Sequence, residues 1–158
     1  MNTECEITVT VNGASYTRTI PARKILTDFI RNDLGLTGTH GGCDHGVCGS
    51  CTVQMNGQTV RSCLTLAVQA DGAEIETVES LGTVDELHPI QKAFVQEHGL
   101  QCGYCTPGIL MTVHEFLSQR KNPSEEEIRH AISGNLCRCT GYQNIVKAVM
   151  TADRIWER

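Results

Sequence analysis

The nine cysteines constrain this chain more than any other feature of its sequence, because eight of them fall into two groups of four. The N-terminal stretch MNTECEITVTVNG has neither the basic nor the apolar region of a signal peptide, so we expect a cytoplasmic protein. Thiols stay reduced there, which favours metal binding or redox chemistry over a disulfide framework. The ninth cysteine, Cys5, alternates with polar residues on the same face as Ile7 and Val9, which predicts a small buried apolar residue.

The first group lies in a glycine-rich loop, GGCDHGVCGSC, which runs from Gly41 to Cys51. Its spacing, C-x4-C-x2-C with a further cysteine beyond it, is the plant-type spacing for a [2Fe–2S] cluster. The predicted ligands of this first cluster are Cys43, Cys48, Cys51 and Cys63. Glycines let such a loop curl around a negatively charged cluster and aim backbone N–H groups at its sulfur atoms. The glycines expected to do so are Gly41, Gly42, Gly46 and Gly49.

Two other interpretations of this loop are weaker. Structural zinc sites usually have paired C-x2-4-C motifs, which a C-x4-C-x2-C triple fits poorly. His40 and His45 flank the cysteines as Rieske-type ligands would, but four cysteines already complete the site. We therefore interpret both histidines as partly exposed loop residues.

The second group combines a C-x2-C pair with a C-x-C pair, and 31 residues separate the two pairs. Its members are Cys102, Cys105, Cys137 and Cys139. From the residues alone, a cluster, a zinc site and a thioredoxin-like dithiol all remain open. The dithiol motif normally needs a βαβ context, whereas the surrounding pattern here is helical. A C-x-C pair is tight for one tetrahedral zinc ion and better suited to a diiron core.

The hydrophobic pattern predicts an α+β protein whose two parts meet near residues 80–86. Residues 1–80 contain two hairpins closed by Asn-Gly turns, a helix over residues 23–35 and a last short strand at residues 73–80. Residues 83–158 contain four amphipathic helical patterns and no strand pattern. Ser124 and Glu127 form a capping-box motif at the start of one of these helices.

Charge and hydropathy exclude some functions. The net charge is −5, and no cluster of lysine and arginine suggests nucleic-acid binding. No apolar run approaches the roughly 18 residues that a membrane span needs. We therefore expect neither a nucleic-acid partner nor a membrane span.

The two cysteine groups also carry a resemblance to a known family. The stretches GCDHGVCGSCTV, QCGYCTPG and GNLCRCTGYQNIVKAV resemble the iron–sulfur subunit of the molybdenum hydroxylases, the xanthine oxidase family. The resemblance covers nearly the whole chain and all eight cysteine positions. It implies a plant-type ferredoxin-like β-grasp domain over residues 1–80 and an all-α four-helix bundle over residues 83–158. It also implies a second [2Fe–2S] cluster at the second group.

The resemblance further implies a role in electron transfer, with no catalytic residue on this chain. A large subunit would hold a molybdenum pterin cofactor, in its cytosine dinucleotide form, and a medium subunit would hold FAD. Electrons would pass from molybdenum to the helical-domain cluster, then to the ferredoxin-like cluster and on to FAD. Gln101 and Cys139 would approach the pterin. The expected assembly is a dimer of heterotrimers.

Two other functions stay open at this point. The chain could be a free ferredoxin-like carrier, or a subunit that passes electrons to a cytochrome instead of FAD. The substrate pocket would lie on another chain, so N-heterocycles, aldehydes and carbon monoxide all remain candidate substrates.

Overall fold

The computed structural model of the chain describes residues 3–157, so residues 1, 2 and 158 of the two predicted domain ranges lie outside it. Within the described range the chain forms a five-stranded mixed sheet, followed by four α-helices. The strands are β1 (Glu4–Val11), β2 (Ala14–Pro21), β3 (Thr52–Met55), β4 (Gln58–Arg61) and β5 (Glu74–Glu76). The α+β prediction is confirmed.

The sheet has the strand order β2-β1-β5-β3-β4. The short strand β5 lies at its centre, parallel to β1 and antiparallel to β3. Both predicted hairpins are present, and each turns through an asparagine and a glycine in the left-handed region: Asn12 and Gly13, then Asn56 and Gly57. Positive φ at both turn positions matches the right-handed twist of the flanking strands.

The helix predicted over residues 23–35 is shorter than expected. Helix α1 spans Leu26–Asp28 and continues as a π-helical turn over Phe29–Asp33. Ile25 is extended, because it forms a bridge with Leu66 instead of joining the helix. Gly35, at φ +72, follows the end of the segment.

The remaining helices follow the sequence pattern closely. They are α2 (Pro89–Gln96), α3 (Thr106–Gln119), α4 (Glu125–Ala131) and α5 (Gln143–Ile155). The Ser124 side chain accepts a hydrogen bond from the Glu127 backbone N–H, as the capping-box motif predicts.

Among the described residues, the buried apolar side chains form two separate cores. One lies between the sheet and α1 and contains Ile7, Val9 and Phe29; the other lies among the helices and contains Phe94 and Ile109. Cys5 is half-buried and outside both cores, so the prediction that it is buried was wrong. It pairs with the core residue Ile20, one residue pair from the open end of the β1–β2 hairpin, and is only partly covered there.

Candidate iron–sulfur centres

The four cysteines of the first group lie together, between the glycine-rich loop and the segment that follows β4. Cys51 and Cys63 are buried and contact each other through their side chains, whereas Cys43 and Cys48 are half-buried. The Cys48 backbone N–H donates to Cys43 Sγ at 3.4 Å. The structure therefore brings all four predicted thiols together as two neighbouring pairs.

Backbone hydrogen bonds and burial have opposite effects on the pKa values of these thiols. The backbone N–H groups of Cys48 and His45 lower the pKa of the Cys43 thiol to about 6. Burial, with the neighbouring Cys51 thiol, raises the pKa of Cys63 to about 11. The N–H groups around Cys43 favour the thiolate form that a bound cluster requires, whereas burial at Cys63 opposes it.

The predicted loop glycines differ in what the fold requires of them. Gly46 and Gly49 have φ values of +82° and +75°, a conformation that favours glycine. A Cβ on Gly42 would lie 3.0 Å from Cys48 Sγ, so that residue allows the backbone to approach a ligand thiol. A Cβ on Gly41 would meet no atom closer than 3.4 Å, and nothing in the loop geometry requires glycine there.

The second cysteine group forms between the turn that precedes α3 and the turn that precedes α5. Cys102 Sγ and Cys139 Sγ lie 3.5 Å apart, and both residues are exposed. Cys105 and Cys137 are half-buried and contact each other through their side chains. Burial, followed by the hydrogen bond with Cys137, raises the pKa of Cys105 to about 12.

Each cysteine group is arranged as two thiol pairs, which is the arrangement that a binuclear centre needs. Within residues 3–157, no three histidine, cysteine or acidic side chains converge on a single position that could hold one metal ion. A zinc ion needs four donors about 2.3 Å from one point. A [2Fe–2S] core instead takes two thiolates on each of two iron atoms, which is the pattern of two thiol pairs in each group.

Both loop histidines have their ring nitrogens against backbone carbonyl groups. His45 Nδ1 is hydrogen-bonded to the carbonyl oxygen of Cys43. His40 Nδ1 lies 2.8 Å from the carbonyl oxygen of Tyr104, and its ring stacks on the Tyr104 ring with centroids 4.7 Å apart. The Tyr104 hydroxyl donates to the Gly41 carbonyl oxygen at 2.7 Å. These side chains therefore connect the first loop with the turn that carries Cys102 and Cys105.

The backbone also connects the two cysteine groups directly. The Leu136 N–H, which precedes Cys137, donates to the Cys48 carbonyl oxygen at 2.8 Å. The buried Asn135 side chain donates to the Gly49 carbonyl oxygen at 3.1 Å. Gly108 of α3 packs so closely on Gly49 that a Cβ there would overlap the same carbonyl oxygen. The cysteine spacing did not predict these contacts, because the residues that make them are more than 50 positions apart in the sequence.

The two centres differ in their access to the surface. Gln101, Cys102, Arg138 and Cys139 are exposed around the second group. At the first group, Cys51 and Cys63 are only 1% and 5% exposed, although the neighbouring Val47 and Leu64 are exposed. The second centre is therefore the one whose thiols are open to a partner.

Comparison with known proteins agrees with this geometry. A family model described as a 2Fe-2S iron-sulfur cluster binding domain matches residues 28–99, and one described as a [2Fe-2S] binding domain matches residues 77–150. The gamma subunit of caffeine dehydrogenase from Pseudomonas sp. (strain CBB1) is 55% identical over 146 residues, which cover 90% of this chain and 87% of that subunit. This chain belongs to the iron–sulfur subunits of the molybdenum hydroxylase family.

Other members of the family support the same assignment. The small subunit of nicotine 6-hydroxylase from Paenarthrobacter nicotinovorans is 55% identical over 147 residues, covering 93% of this chain and 88% of that subunit. The crystal structure of quinoline 2-oxidoreductase from Pseudomonas putida 86 contains a chain of the same fold, with a TM-score of 0.92 and 46% identity. The match covers 96% of this chain and 94% of that chain.

The family assignment makes this chain an electron-transfer subunit of an oxidoreductase complex, with two 2Fe-2S domains. Within the described part of the subunit, no helix is both long and apolar enough to cross a membrane.

Proposed function

We propose that the subunit holds two [2Fe–2S] clusters on its eight grouped cysteines. Cys43, Cys48, Cys51 and Cys63 ligate the first, and Cys102, Cys105, Cys137 and Cys139 ligate the second. The arrangement of each group as two thiol pairs supports this assignment. Each cluster supplies one-electron redox chemistry when bound. The two separate cores support a ferredoxin-like domain over residues 1–80 and a four-helix domain over residues 83–158.

The subunit relays electrons from a molybdenum pterin cofactor on a large subunit to FAD on a medium subunit. The observation that carries this proposal is the 2.8 Å hydrogen bond between the Leu136 N–H and the Cys48 carbonyl oxygen. It links a residue adjacent to one ligand, Cys137, with a ligand of the other centre. The protein thus offers a continuous path of covalent bonds and one hydrogen bond between the two sites.

Electrons enter at the second centre and leave from the first. Exposure supports this order at the entry side, because Gln101 and Cys139 lie at the surface and can approach the pterin. The large subunit therefore covers the surface around Gln101 and Cys139. The medium subunit lies beside the first centre, where Val47 and Leu64 expose apolar surface next to the loop.

The same proposal extends to the complex as a whole. Relatives named for caffeine and nicotine, and a similar structure named for quinoline, favour an N-heterocyclic substrate over an aldehyde or carbon monoxide. We propose a dimer of heterotrimers in the cytoplasm, with the pterin in its cytosine dinucleotide form.

Metal analysis of the purified subunit tests the ligand assignment. We expect about four iron atoms and about four acid-labile sulfides per chain, since each cluster holds two of each. Replacing Cys43 with alanine should lower both counts to about two, because the first centre loses a ligand. The control is Cys5→Ala. Cys5 lies outside both groups, so this variant should keep about four iron atoms and about four sulfides. Zinc as the main metal, or an unchanged iron count in the Cys43 variant, would contradict the assignment.

A further inference from the structure

A side-chain hydroxyl lies against one of the proposed cluster ligands. Thr140 Oγ1 is 3.2 Å from Cys137 Sγ, and it accepts a hydrogen bond from the Tyr142 N–H at 3.1 Å. A thiolate bound to iron has no proton, so the hydroxyl must be the donor to sulfur. Because the Tyr142 N–H occupies a lone pair of the oxygen, the hydroxyl hydrogen remains available for Cys137.

We propose that Thr140 raises the reduction potential of the second centre by donating this hydrogen bond to Cys137. The proposal rests on the assignment of Cys137 as a cluster ligand. Reduction adds negative charge, and a donor to a ligating sulfur stabilises that charge. Thr140 is therefore a positioning and tuning residue, which controls how readily the second centre accepts an electron.

The two thiols of the half-buried pair have different surroundings. Cys137 Sγ lies within hydrogen-bonding reach of the Thr140 hydroxyl and of the backbone of Cys139 and Thr140. Its neighbour Cys105 contacts the Cys137 side chain and a backbone group of its own residue. Hydrogen-bond donors therefore concentrate on one thiol of the pair.

The turn around Thr140 is fixed by the residue that follows Gly141. Tyr142 adopts a left-handed conformation, with φ 67°, immediately before α5. Its hydroxyl accepts from the Cys137 N–H at 2.9 Å and donates to the Asn135 carbonyl oxygen at 3.1 Å. Thr140 is half-buried within this turn, where a hydrogen bond is stronger than in water.

The first centre has a different set of donors. Cys43 Sγ receives backbone N–H groups from Cys48, His45 and Val47, which no side-chain substitution removes. A change at residue 140 should consequently shift the potential of the second centre and leave that of the first unchanged. The first centre serves as an internal reference in the same sample.

The test is a redox titration, followed by low-temperature EPR, of the full chain with both clusters loaded. We expect Thr140→Val, which removes the hydroxyl but keeps the shape, to lower the equilibrium constant for reduction of the second centre about tenfold. That is a shift of about 59 mV to more negative potential for one electron. Thr140→Ser keeps a hydroxyl and should restore a potential near that of the wild type.

Several outcomes would overturn the proposal. One is a Thr140→Val protein that keeps about four irons, as two intact clusters require, and shows an unchanged potential at the second centre. An equal shift at both centres, or the same shift in Thr140→Ser, would also exclude a specific hydrogen bond. Loss of the second cluster from both Thr140→Val and Thr140→Ala would assign the hydroxyl to cluster retention instead of tuning. Absence of iron from the wild-type chain is a separate result, which would overturn the proposed function itself.

Discussion

Replacing Cys105 with alanine in the assembled complex is expected to abolish the reduction of flavin by substrate. Cys105 is a proposed ligand of the second centre, and its half-buried thiol pairs with Cys137. Without this ligand the proposed entry centre is lost, so we expect that electrons no longer reach the first centre or the flavin. Stopped-flow mixing with substrate, monitored at the flavin absorbance, measures the effect.

The companion variant is Cys48→Ala, which removes a proposed ligand of the first centre. It should also stop flavin reduction, yet allow substrate to reduce the second centre. The Cys5→Ala complex should reduce flavin at the wild-type rate, because Cys5 lies outside both groups. Ligand loss can unfold a metal-binding domain, so assembly and the iron content of the remaining centre need to be verified first. Rapid flavin reduction in an intact Cys105→Ala complex would show that the proposed electron order is wrong.

A second large effect is expected from Gly49→Ala, at the contact between the two cysteine groups. Gly49 has φ +75°, and a Cβ there would overlap the Gly134 carbonyl oxygen and lie 2.7 Å from Asn135 Nδ2. Left-handed strain and overpacking together should lower the free energy of unfolding by about 2–4 kcal/mol. Urea unfolding of the loaded chain measures this loss.

The matched control for this variant is Gly57→Ala. Gly57 has nearly the same φ, +79°, but a Cβ there would meet no atom within 4 Å. The Gly57→Ala variant should therefore lose only about 1–2 kcal/mol of the free energy of unfolding, through left-handed backbone strain. Equal losses in the two variants would mean that the close packing at Gly49 does not contribute to stability.

Local sequence signals predicted those features that depend on neighbouring residues. The Asn-Gly turns require positive φ at two adjacent positions, and both hairpins formed where these dipeptides stand. The Ser124–Glu127 capping box likewise depends on residues three positions apart. Cysteine spacing predicted which thiols belong to each group, and the structure brings the thiols of each group together, while their role as cluster ligands stays a prediction.

Features that depend on packing between distant segments were not predicted. Ile25 fits a helical pattern, but its bridge to Leu66 holds it extended. The hydrogen bond from Leu136 to Cys48 joins segments 88 positions apart in the sequence, and hydrophobic periodicity does not predict such a contact. The Thr140 hydroxyl was missed because its donor role depends on the left-handed turn at Tyr142.

The most direct test of the central claim, that one chain holds two inequivalent [2Fe–2S] clusters, is EPR spin integration during a redox titration. We expect two distinct paramagnetic signals, two midpoint potentials and a total of about two spins per fully reduced chain. The signals should differ because Cys51 and Cys63 are buried, whereas Cys102 and Cys139 are exposed. A single signal that rises in one step to about one spin per chain would contradict the claim.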